Sequence, residues 1–274
     1  MARQAGHRVC VVESDLADRE GLRHEVEQAA PDAVVHLAAI SFVGQADANA
    51  FYAVNVIGTL NLLDALTGLQ VTPRRVLLAS SANVYGNCDA SPISESQAPA
   101  PVNHYAMSKL AMEHMACTYA DRLPIMITRS FNYTGPGQAG HFLIPKLVSH
   151  FAKRAEIIEL GNLDVEREFN DVRMVCDAYL GLLEHGEPGQ TYNICSGKAY
   201  TLRNVIEMLS SITGHKLDVR VNPQFVRTGE VHRLCGSPLK LRDVLTNGGR
   251  MQEDPSLEDT LRRMLEIAAV PDVY

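Results

Sequence analysis

The sequence predicts an α/β protein built on a doubly wound parallel sheet, with a smaller C-terminal α/β domain. Short runs of aliphatic and β-branched residues alternate with segments of helical periodicity through the first half of the chain, and such alternation is typical of parallel strands joined by helices. Of the 274 residues, 46% are hydrophobic and 21% are charged. A chain of this length and composition can bury a substantial core.

The predicted elements follow from these runs in chain order. Strands are expected at His7–Glu13, Ala33–Ala39, Arg75–Ser80, Pro124–Arg129, Thr191–Cys195 and Leu217–Val221. Helices are expected at Arg19–Ala29, Phe51–Leu69, His104–Asp121, about Ile144–Arg154, Val172–Glu184, Leu202–Thr213 and after Ser256. The strand Ala33–Ala39 is continuously apolar apart from one histidine and is therefore predicted to be buried. Ser256 and Asp259 are spaced as a capping box for the last helix.

After Phe131 the regular alternation ends in the glycine- and proline-rich segment NYTGPGQ. We therefore expect residues 1–132, with about 172–196, to form the sheet domain. Residues 133–171 and 197–274 are expected to form the smaller domain, folded over the carboxyl edge of the sheet. Open α/β sheets bind their ligands at that edge.

Composition excludes several classes of partner and site. The net charge of −7 argues against a nucleic-acid partner. The six cysteines lack C-x-x-C spacing and are interpreted as reduced thiols, so that neither a disulfide framework nor a metal site is expected: Cys10, Cys88, Cys117, Cys176, Cys195 and Cys235. No apolar run approaches the roughly 18 residues of a membrane span, and no signal peptide is visible, so a cytoplasmic protein without a membrane partner is predicted.

Tyr105 and Lys109 are the first candidate catalytic pair. A spacing of four residues places both on one face of the predicted helix. A neighbouring cation lowers the pKa of a phenol from its ordinary value near 10, which would allow it to exchange a proton with a carbonyl or alcohol oxygen. In isolation the same pair is typical of a solvated helix face, so the surrounding motifs decide between the two interpretations.

Eight short motifs stand in order at characteristic spacings. They are Asp15-Leu16-Ala17-Asp18, His36-Leu37-Ala38-Ala39, Asn55-Val56-x-Gly58-Thr59-x-Asn61-Leu62-Leu63, Ser80-Ser81-x-x-Val84-Tyr85-Gly86, Tyr105-x-x-x-Lys109, Arg129-x-Phe131-Asn132-x-x-Gly135-Pro136-Gly137-Gln138, Arg167-Glu168-Phe169-x-Asp171-Val172 and Tyr192-Asn193-x-x-Ser196-Gly197. From about Gly6 to Leu265 the chain thereby resembles the extended short-chain dehydrogenase/reductases, the NAD-dependent epimerase/dehydratase family, which have a Rossmann-like sheet. Within that family it is most similar to the group of GDP-mannose 4,6-dehydratases and GDP-4-keto-6-deoxy-D-mannose reductases.

Asn83 distinguishes between the activities of this group. The 4,6-dehydratases carry an acidic residue at this position for proton abstraction and elimination of water. An asparagine cannot act as that base. The resemblance therefore implies hydride transfer from NAD(P)H to the C4 keto group of a nucleotide-linked 4-keto-6-deoxy sugar of the GDP-4-keto-6-deoxymannose type.

The resemblance also implies roles for individual residues. Tyr105 would donate the proton, Lys109 would keep Tyr105 acidic and bind the nicotinamide ribose, and Ser81 would bond the keto oxygen. The implied contacts of the cofactor, NADP or NAD, are Asp15, Leu16, Leu37, Ala38, Ala39, Asn55, Ser80, Tyr105 and Lys109. The implied contacts of the nucleotide sugar are Ser81, Asn132, Lys146, Arg167, Arg227 and Glu230, with the two arginines on the diphosphate and Glu230 on a ribose hydroxyl. Glu13 would suit an adenosine ribose 2′-hydroxyl, which favours NAD.

The sequence departs from the family pattern at its start. The family begins with a strand and a Gly-x-x-Gly-x-x-Gly turn that binds the cofactor diphosphate, and about 25–30 residues of this βαβ unit, including the first strand, have no counterpart here. Poor dinucleotide binding is therefore expected of the sequence as it stands. Three alternatives stay open: an ordinary reductase with a truncated start, a non-catalytic sugar-nucleotide-binding or interaction subunit, and a sugar-nucleotide epimerase or 4,6-dehydratase of the same family. A homodimer is expected, because the helices Phe51–Leu69 and His104–Asp121 pair across a dimer in relatives.

Overall fold

The computed structural model describes residues 9–41, 47–225, 231–250 and 254–268. The helices are α1 Arg19–Ala29, α2 Ala48–Tyr52, α3 Thr59–Thr67, α4 His104–Cys117, α5 Leu143–Ala152, α6 Val172–His185, α7 Leu202–Thr213, α8 Leu239–Asn247 and α9 Leu257–Ala268. The strands are β1 Ala33–His36, β2 Arg75–Ser81, β3 Ile125–Ser130, β4 Tyr133–Thr134, β5 Ile157–Leu160, β6 Glu166–Glu168, β7 Asn170–Asp171, β8 Thr191–Ile194, β9 Ala199–Thr201, β10 Asp218–Val221 and β11 Arg233–Leu234.

The main sheet has the strand order β1-β2-β3-β8, and all three pairings are parallel. This confirms the predicted parallel α/β sheet. Strand β2 alternates between its two faces, as a strand buried on both sides must. Val76 and Leu78 pack in the core formed with α1, α3 and α4, whereas Leu77 packs in the core formed with α6 and α8. The sheet is therefore covered by helices on both faces.

The predicted strand His7–Glu13 is wrong for the residues that can be described. Residues 9–13 have no strand assignment, and Val11 is 82% exposed. The physical reason is that an extended segment needs a neighbouring strand to pair its backbone groups, and β1 pairs only with β2 within the described part of the chain.

Strand β1 also differs from its prediction. It ends at His36 rather than Ala39, and Val35 on it is 38% exposed. In the described ranges β1 lies at the edge of the sheet and is only partly buried, although its sequence has the apolar character of a fully buried strand. The segment Leu37–Ile40 then leaves the sheet as irregular backbone at the carboxyl edge.

The predicted helix Phe51–Leu69 is observed as three consecutive helical segments. Between α2 and α3 lies a π-helical segment, Ala53–Gly58, and such wide turns are frequent at functional sites. The whole helical stretch Ala48–Thr67 has a mean hydropathy of 1.3 and is long and apolar enough to cross a membrane by length and composition alone. Half of it is buried within the protein, where α3 contributes Leu63 and Leu66 to the core.

The remaining elements surround a second core, formed mainly by α5, α7 and α9 with β5. Strand β10 pairs in parallel with β5, and β6 lies between β11 and β9. The two-residue strands β4 and β7 pair beside the carboxyl end of β3. The predicted capping box of the last helix is confirmed in part: the Ser256 hydroxyl accepts from the Asp259 backbone N–H at 3.1 Å, and the Asp259 carboxylate accepts from that hydroxyl at 2.5 Å.

Candidate active site

The end of β2 and one face of α4 bring the predicted catalytic residues together. Helix α4 begins at an asparagine cap, since the Asn103 side chain accepts from a backbone N–H in the first turn. Tyr105 and Lys109 then face the sheet and are 8% and 4% exposed. The Ser81 hydroxyl is hydrogen-bonded to the Tyr105 phenol, and the Lys109 ammonium donates to the Ala79 carbonyl oxygen at 2.6 Å.

Burial, rather than the neighbouring cation, dominates the ionisation of Tyr105. Loss of solvent raises the pKa of Tyr105 to about 12, and the hydrogen bond from Ser81 opposes only part of this effect. Burial also lowers the pKa of Lys109 to about 8, partly opposed by Glu113. The expectation that Lys109 makes Tyr105 more acidic is therefore wrong for this structure, since Lys109 does not contribute to the shift. At neutral pH the phenol carries its proton and Lys109 is largely charged.

Asn83 lies beside Ser81 in the 3₁₀ turn Ala82–Tyr85 that follows β2. Both its backbone N–H and its side-chain amide donate to the Ser81 hydroxyl oxygen, each at 3.2 Å. The lone pairs of that oxygen are thus engaged by donors, which leaves the hydroxyl hydrogen for another acceptor. A carboxylate at position 83 could not make the side-chain donation.

Asn55 fixes the irregular segment that follows β1. Its side chain is fully buried, accepts from the Ile40 N–H at 2.9 Å and donates to the Ile40 carbonyl oxygen at 3.1 Å. The same amide donates at 3.0 Å to the Ser108 hydroxyl, which donates to the Tyr105 carbonyl oxygen. The π-helical turn therefore positions both the 37–40 segment and the start of α4.

His36 at the end of β1 extends this network. Its ring nitrogen lies 2.9 Å from the Thr59 hydroxyl, which donates to the Asn55 carbonyl oxygen at 2.8 Å. Burial, together with the charge on Lys109, lowers the pKa of His36 to about 4. The imidazole is consequently neutral at physiological pH.

The residues predicted to contact adenosine border an open cavity of about 600 Å³. Asp15 accepts from the Ala17 N–H, and the Leu16 carbonyl oxygen accepts from the Asn61 amide at 2.8 Å. The exposed Leu37 begins the neighbouring segment that also contains Ala38 and Ala39. The cavity is lined by Glu13, Ser14, Asp15, Leu16, Ala17, Ala53 and Val54.

The Ser80 hydroxyl, at a predicted cofactor contact, is hydrogen-bonded within the protein. It donates at 2.5 Å to Glu113, which pairs with Arg129 through Nη2 at 2.7 Å. Both partners of this ion pair are almost completely buried. Sequence reasoning missed Glu113, although its position eight residues after Tyr105 on the same helical face is visible in the sequence.

The predicted sugar-nucleotide residues occupy the region around the second core. The Asn132 side chain is exposed just beyond β3, and its carbonyl oxygen accepts from Asn170. Lys146 on α5 donates to the Glu159 carbonyl oxygen at 3.0 Å. Arg167 donates to backbone carbonyl oxygens, including those of residues 231 and 232. Arg227 and Glu230 lie outside the described residues.

Within the described ranges, no group of three or more histidine, cysteine, aspartate or glutamate side chains could hold a metal ion. The four described cysteines nearest the surface and the two buried ones are all free thiols. The described residues Ser81, Tyr105, Lys109 and Asn83 supply hydroxyl, phenol, ammonium and amide groups.

Two curated relatives match most of the chain. The GDP-6-deoxy-D-talose 4-dehydrogenase of Aggregatibacter actinomycetemcomitans is 38% identical over 93% of this chain and 87% of its own length. The GDP-6-deoxy-D-mannose reductase of Pseudomonas aeruginosa is 39% identical over 78% of this chain and 74% of its own length.

Solved structures agree in fold over nearly the whole chain. RMD from Pseudomonas aeruginosa, solved in complex with NADPH, superimposes with a TM-score of 0.88 at 34% identity and covers 98% of this chain and 93% of that one. A Burkholderia cenocepacia J2315 protein, described provisionally as an epimerase, has a TM-score of 0.87 at 51% identity, with 94% of this chain and 82% of that one covered.

The family description of GDP-mannose 4,6 dehydratase matches residues 2–254. This range includes the strand end with Ser81, the helix with Tyr105 and Lys109, and the segment with Arg167. The chain is a member of the GDP-mannose 4,6-dehydratase family.

Proposed function

We propose that this protein reduces the C4 keto group of a GDP-linked 4-keto-6-deoxy sugar with NADPH or NADH. The observation that carries this proposal is the pairing of Ser81 with both Tyr105 and Asn83. It supplies a hydroxyl and a protonated phenol for a keto oxygen, without the carboxylate that elimination of water requires. The names of the two curated relatives support the same substrate class.

Proton transfer to the product oxygen is assigned to Tyr105. Because burial raises its pKa to about 12, the phenol is protonated at neutral pH and is ready to donate. Ser81 donates a hydrogen bond to the same oxygen and stabilises the negative charge that develops there. Lys109 is assigned to the nicotinamide ribose, and its ammonium is held at the end of β2 by the Ala79 carbonyl oxygen at 2.6 Å.

The residues fit a nicotinamide dinucleotide at its two ends. The cavity bordered by Asp15 and Leu16 has room for an adenosine group, and Lys109 lies where a ribose hydroxyl could be bonded at the catalytic end. When bound, the cofactor supplies the hydride that adds to C4. The segment 37–40, held by Asn55, would line the cofactor between these ends. The described residues include no glycine-rich turn for the diphosphate.

The sugar nucleotide is assigned to the side of the sheet edge where Asn132, Lys146 and Arg167 lie. Arg167 is suited to a diphosphate, since a guanidinium can donate to two oxygens at once. Arg167 lies on β6, between β11 and β9. Hydrogen bonds from its guanidinium to backbone carbonyl oxygens fix the position of the side chain. Arg227 and Glu230 remain predicted members of this subsite.

The proposal is tested by two assays on the same substrate, one that follows the cofactor continuously and one that identifies the product after the reaction is stopped. GDP-4-keto-6-deoxymannose is added with NADPH or NADH, the loss of reduced cofactor is followed by absorbance, and the C4 configuration of the product is determined by NMR. Tyr105→Phe should lower kcat by roughly 10²–10⁴-fold. The matched control is Tyr200→Phe, because Tyr200 is a partly buried tyrosine that packs against the second core. Absence of substrate-dependent cofactor oxidation by the unmodified protein would refute the assignment.

An epimerase is the second candidate, favoured by the 51% identical Burkholderia cenocepacia structure. The same serine, tyrosine and lysine can serve such a reaction. It predicts conversion of a nucleotide sugar to its epimer without net consumption of reduced cofactor. Incubation with GDP- and UDP-sugars in the absence of added NADPH, followed by NMR, separates the two activities.

We also infer a homodimer formed through α2, α3 and α4. Ile57 on the π-helical segment between α2 and α3 and Met107 on α4 are 51% and 44% exposed, which supports a covered face. Light scattering after size-exclusion chromatography measures the mass directly. A cytoplasmic location is part of the same proposal, and cell fractionation tests it.

The division into a sheet domain and a sugar-nucleotide domain is likewise proposed. The separate core around α5, α7 and α9 supports it. Limited proteolysis with mass spectrometry would locate the segments that join the two units.

A further inference from the structure

Three consecutive residues at the end of β2 are tied to three successive turns of α4. The Ser81 hydroxyl bonds Tyr105, the Ala79 carbonyl oxygen accepts from Lys109 at 2.6 Å, and the Ser80 hydroxyl donates to Glu113 at 2.5 Å. Positions 105, 109 and 113 are four residues apart and therefore lie on one helical face. The catalytic pair therefore belongs to a longer contact between β2 and α4, which extends along the helix to Glu113.

Glu113 also joins α4 to the next strand. Arg129 is the direct neighbour of Ser80 in the β2–β3 pairing. Its guanidinium donates to both carboxylate oxygens of Glu113, from Nε at 3.1 Å and from Nη2 at 2.7 Å. Glu113 is 5% exposed and Arg129 is 7% exposed, so solvent contributes little to either charge. One carboxylate therefore holds two adjacent strands and the catalytic helix in a fixed register.

We propose that Glu113, held by Arg129, is a positioning residue for the reduction, which keeps the end of β2 in register with Tyr105 and keeps Lys109 positively charged. This inference rests on the proposed function for its catalytic consequence. Its electrostatic part concerns the folded protein alone.

The charged groups around Lys109 support this role. Glu113, on the same helix, raises the pKa of Lys109 against the larger effect of burial. His36 approaches from β1 and is neutral at physiological pH, because its own pKa is lowered to about 4. Arg129 approaches from β3 and is bonded to Glu113, and Tyr105 carries its proton. Among these groups, Glu113 supplies the negative charge that offsets burial of the ammonium.

The test is Glu113→Gln, with the pKa of Lys109 measured by competitive labelling with acetic anhydride and mass spectrometry over a range of pH. This readout needs neither substrate nor cofactor. Removal of the carboxylate should lower the pKa of Lys109 by about one unit relative to the unmodified protein. In the reductase assay, the alkaline limb of the pH profile of kcat/KM should move by the same amount towards lower pH, so that the loss of activity is about fivefold greater at pH 8 than at pH 6.

Two further variants separate charge from stability. Glu113→Gln/Arg129→Met removes the buried cation that the single change leaves unpaired, so the fold should recover stability while the pKa of Lys109 stays below that of the unmodified protein. Asp171→Asn removes another buried carboxylate, which pairs with the exposed Arg173, and should leave the pKa of Lys109 unchanged.

An unchanged pKa of Lys109 in Glu113→Gln would overturn the inference, as would a loss of activity that is equal at every pH. If the unmodified protein reduces no keto sugar, the proposed function fails, and the labelling experiment still decides the role of Glu113 because it reports on Lys109 directly.

Discussion

Replacement of Asn55 by alanine tests how the π-helical turn supports the site. The side chain makes three hydrogen bonds, two with the backbone of Ile40 and one with the Ser108 hydroxyl. Truncation removes all three and leaves the Ile40 N–H and carbonyl groups without their partner. Because Asn55 is fully buried, water cannot simply take its place.

The expected cost follows from these contacts. A typical intramolecular hydrogen bond contributes about 1 kcal/mol, and a buried polar group left unpaired costs more. The loss in free energy of unfolding should therefore be about 2–4 kcal/mol. Asn61→Ala is the matched control, because the buried Asn61 amide makes one bond, to the Leu16 carbonyl oxygen at 2.8 Å. Its expected cost is about 1 kcal/mol.

Urea unfolding followed by circular dichroism measures both variants. A functional consequence is also expected, since the 37–40 segment loses its anchor: the KM for NADPH should increase more than the KM for the keto sugar. If Asn55→Ala costs no more than Asn61→Ala, the idea that this amide holds the segment is refuted.

Three other predictions concern pH, backbone conformation and chemistry. The folded-state pKa of His36 is lowered from 6.5 to about 4, so the unfolded chain binds more protons between these pH values. The free energy of unfolding should therefore fall by about 3 kcal/mol as the pH decreases from 6.5 to 4. Thermal unfolding at several pH values should show a flatter pH dependence of stability for His36→Gln. Gly86 has a φ of +62°, and an added Cβ would overlap the Ala100 carbonyl oxygen, so Gly86→Ala should cost at least about 2 kcal/mol, whereas Gly140→Ala, in open space, should be nearly neutral in the same urea titration. Asn83→Asp replaces a donor to the catalytic serine by an acceptor, and it should lower kcat about tenfold, the equivalent of one lost hydrogen bond; an unchanged kcat would argue against a role for that amide.

Much of the sheet could be predicted because its signal is local. The apolar runs around Val76 and Ile127, each bounded by turn residues, identify β2 and β3 without knowledge of their neighbours. The helix with Tyr105 and Lys109 is equally visible from its asparagine cap and its spacing. The two- and three-residue strands β4, β6, β7, β9 and β11 escaped prediction, since so short a segment carries no periodicity.

The sequence by itself determined the parallel α/β class, the shared helical face of Tyr105 and Lys109, and the amide at position 83 that argues against dehydration. Only the tertiary structure decided that residues 9–13 have no strand partner among the described residues, that burial keeps Tyr105 protonated, and that the Ser80 hydroxyl donates to Glu113. These outcomes depend on which distant segments surround a group, because desolvation, strand pairing and buried ion pairs are set by neighbours that are close in space and remote in sequence. The residue order specifies the catalytic groups, and the packing of α4 against β2 and β3 sets their charge.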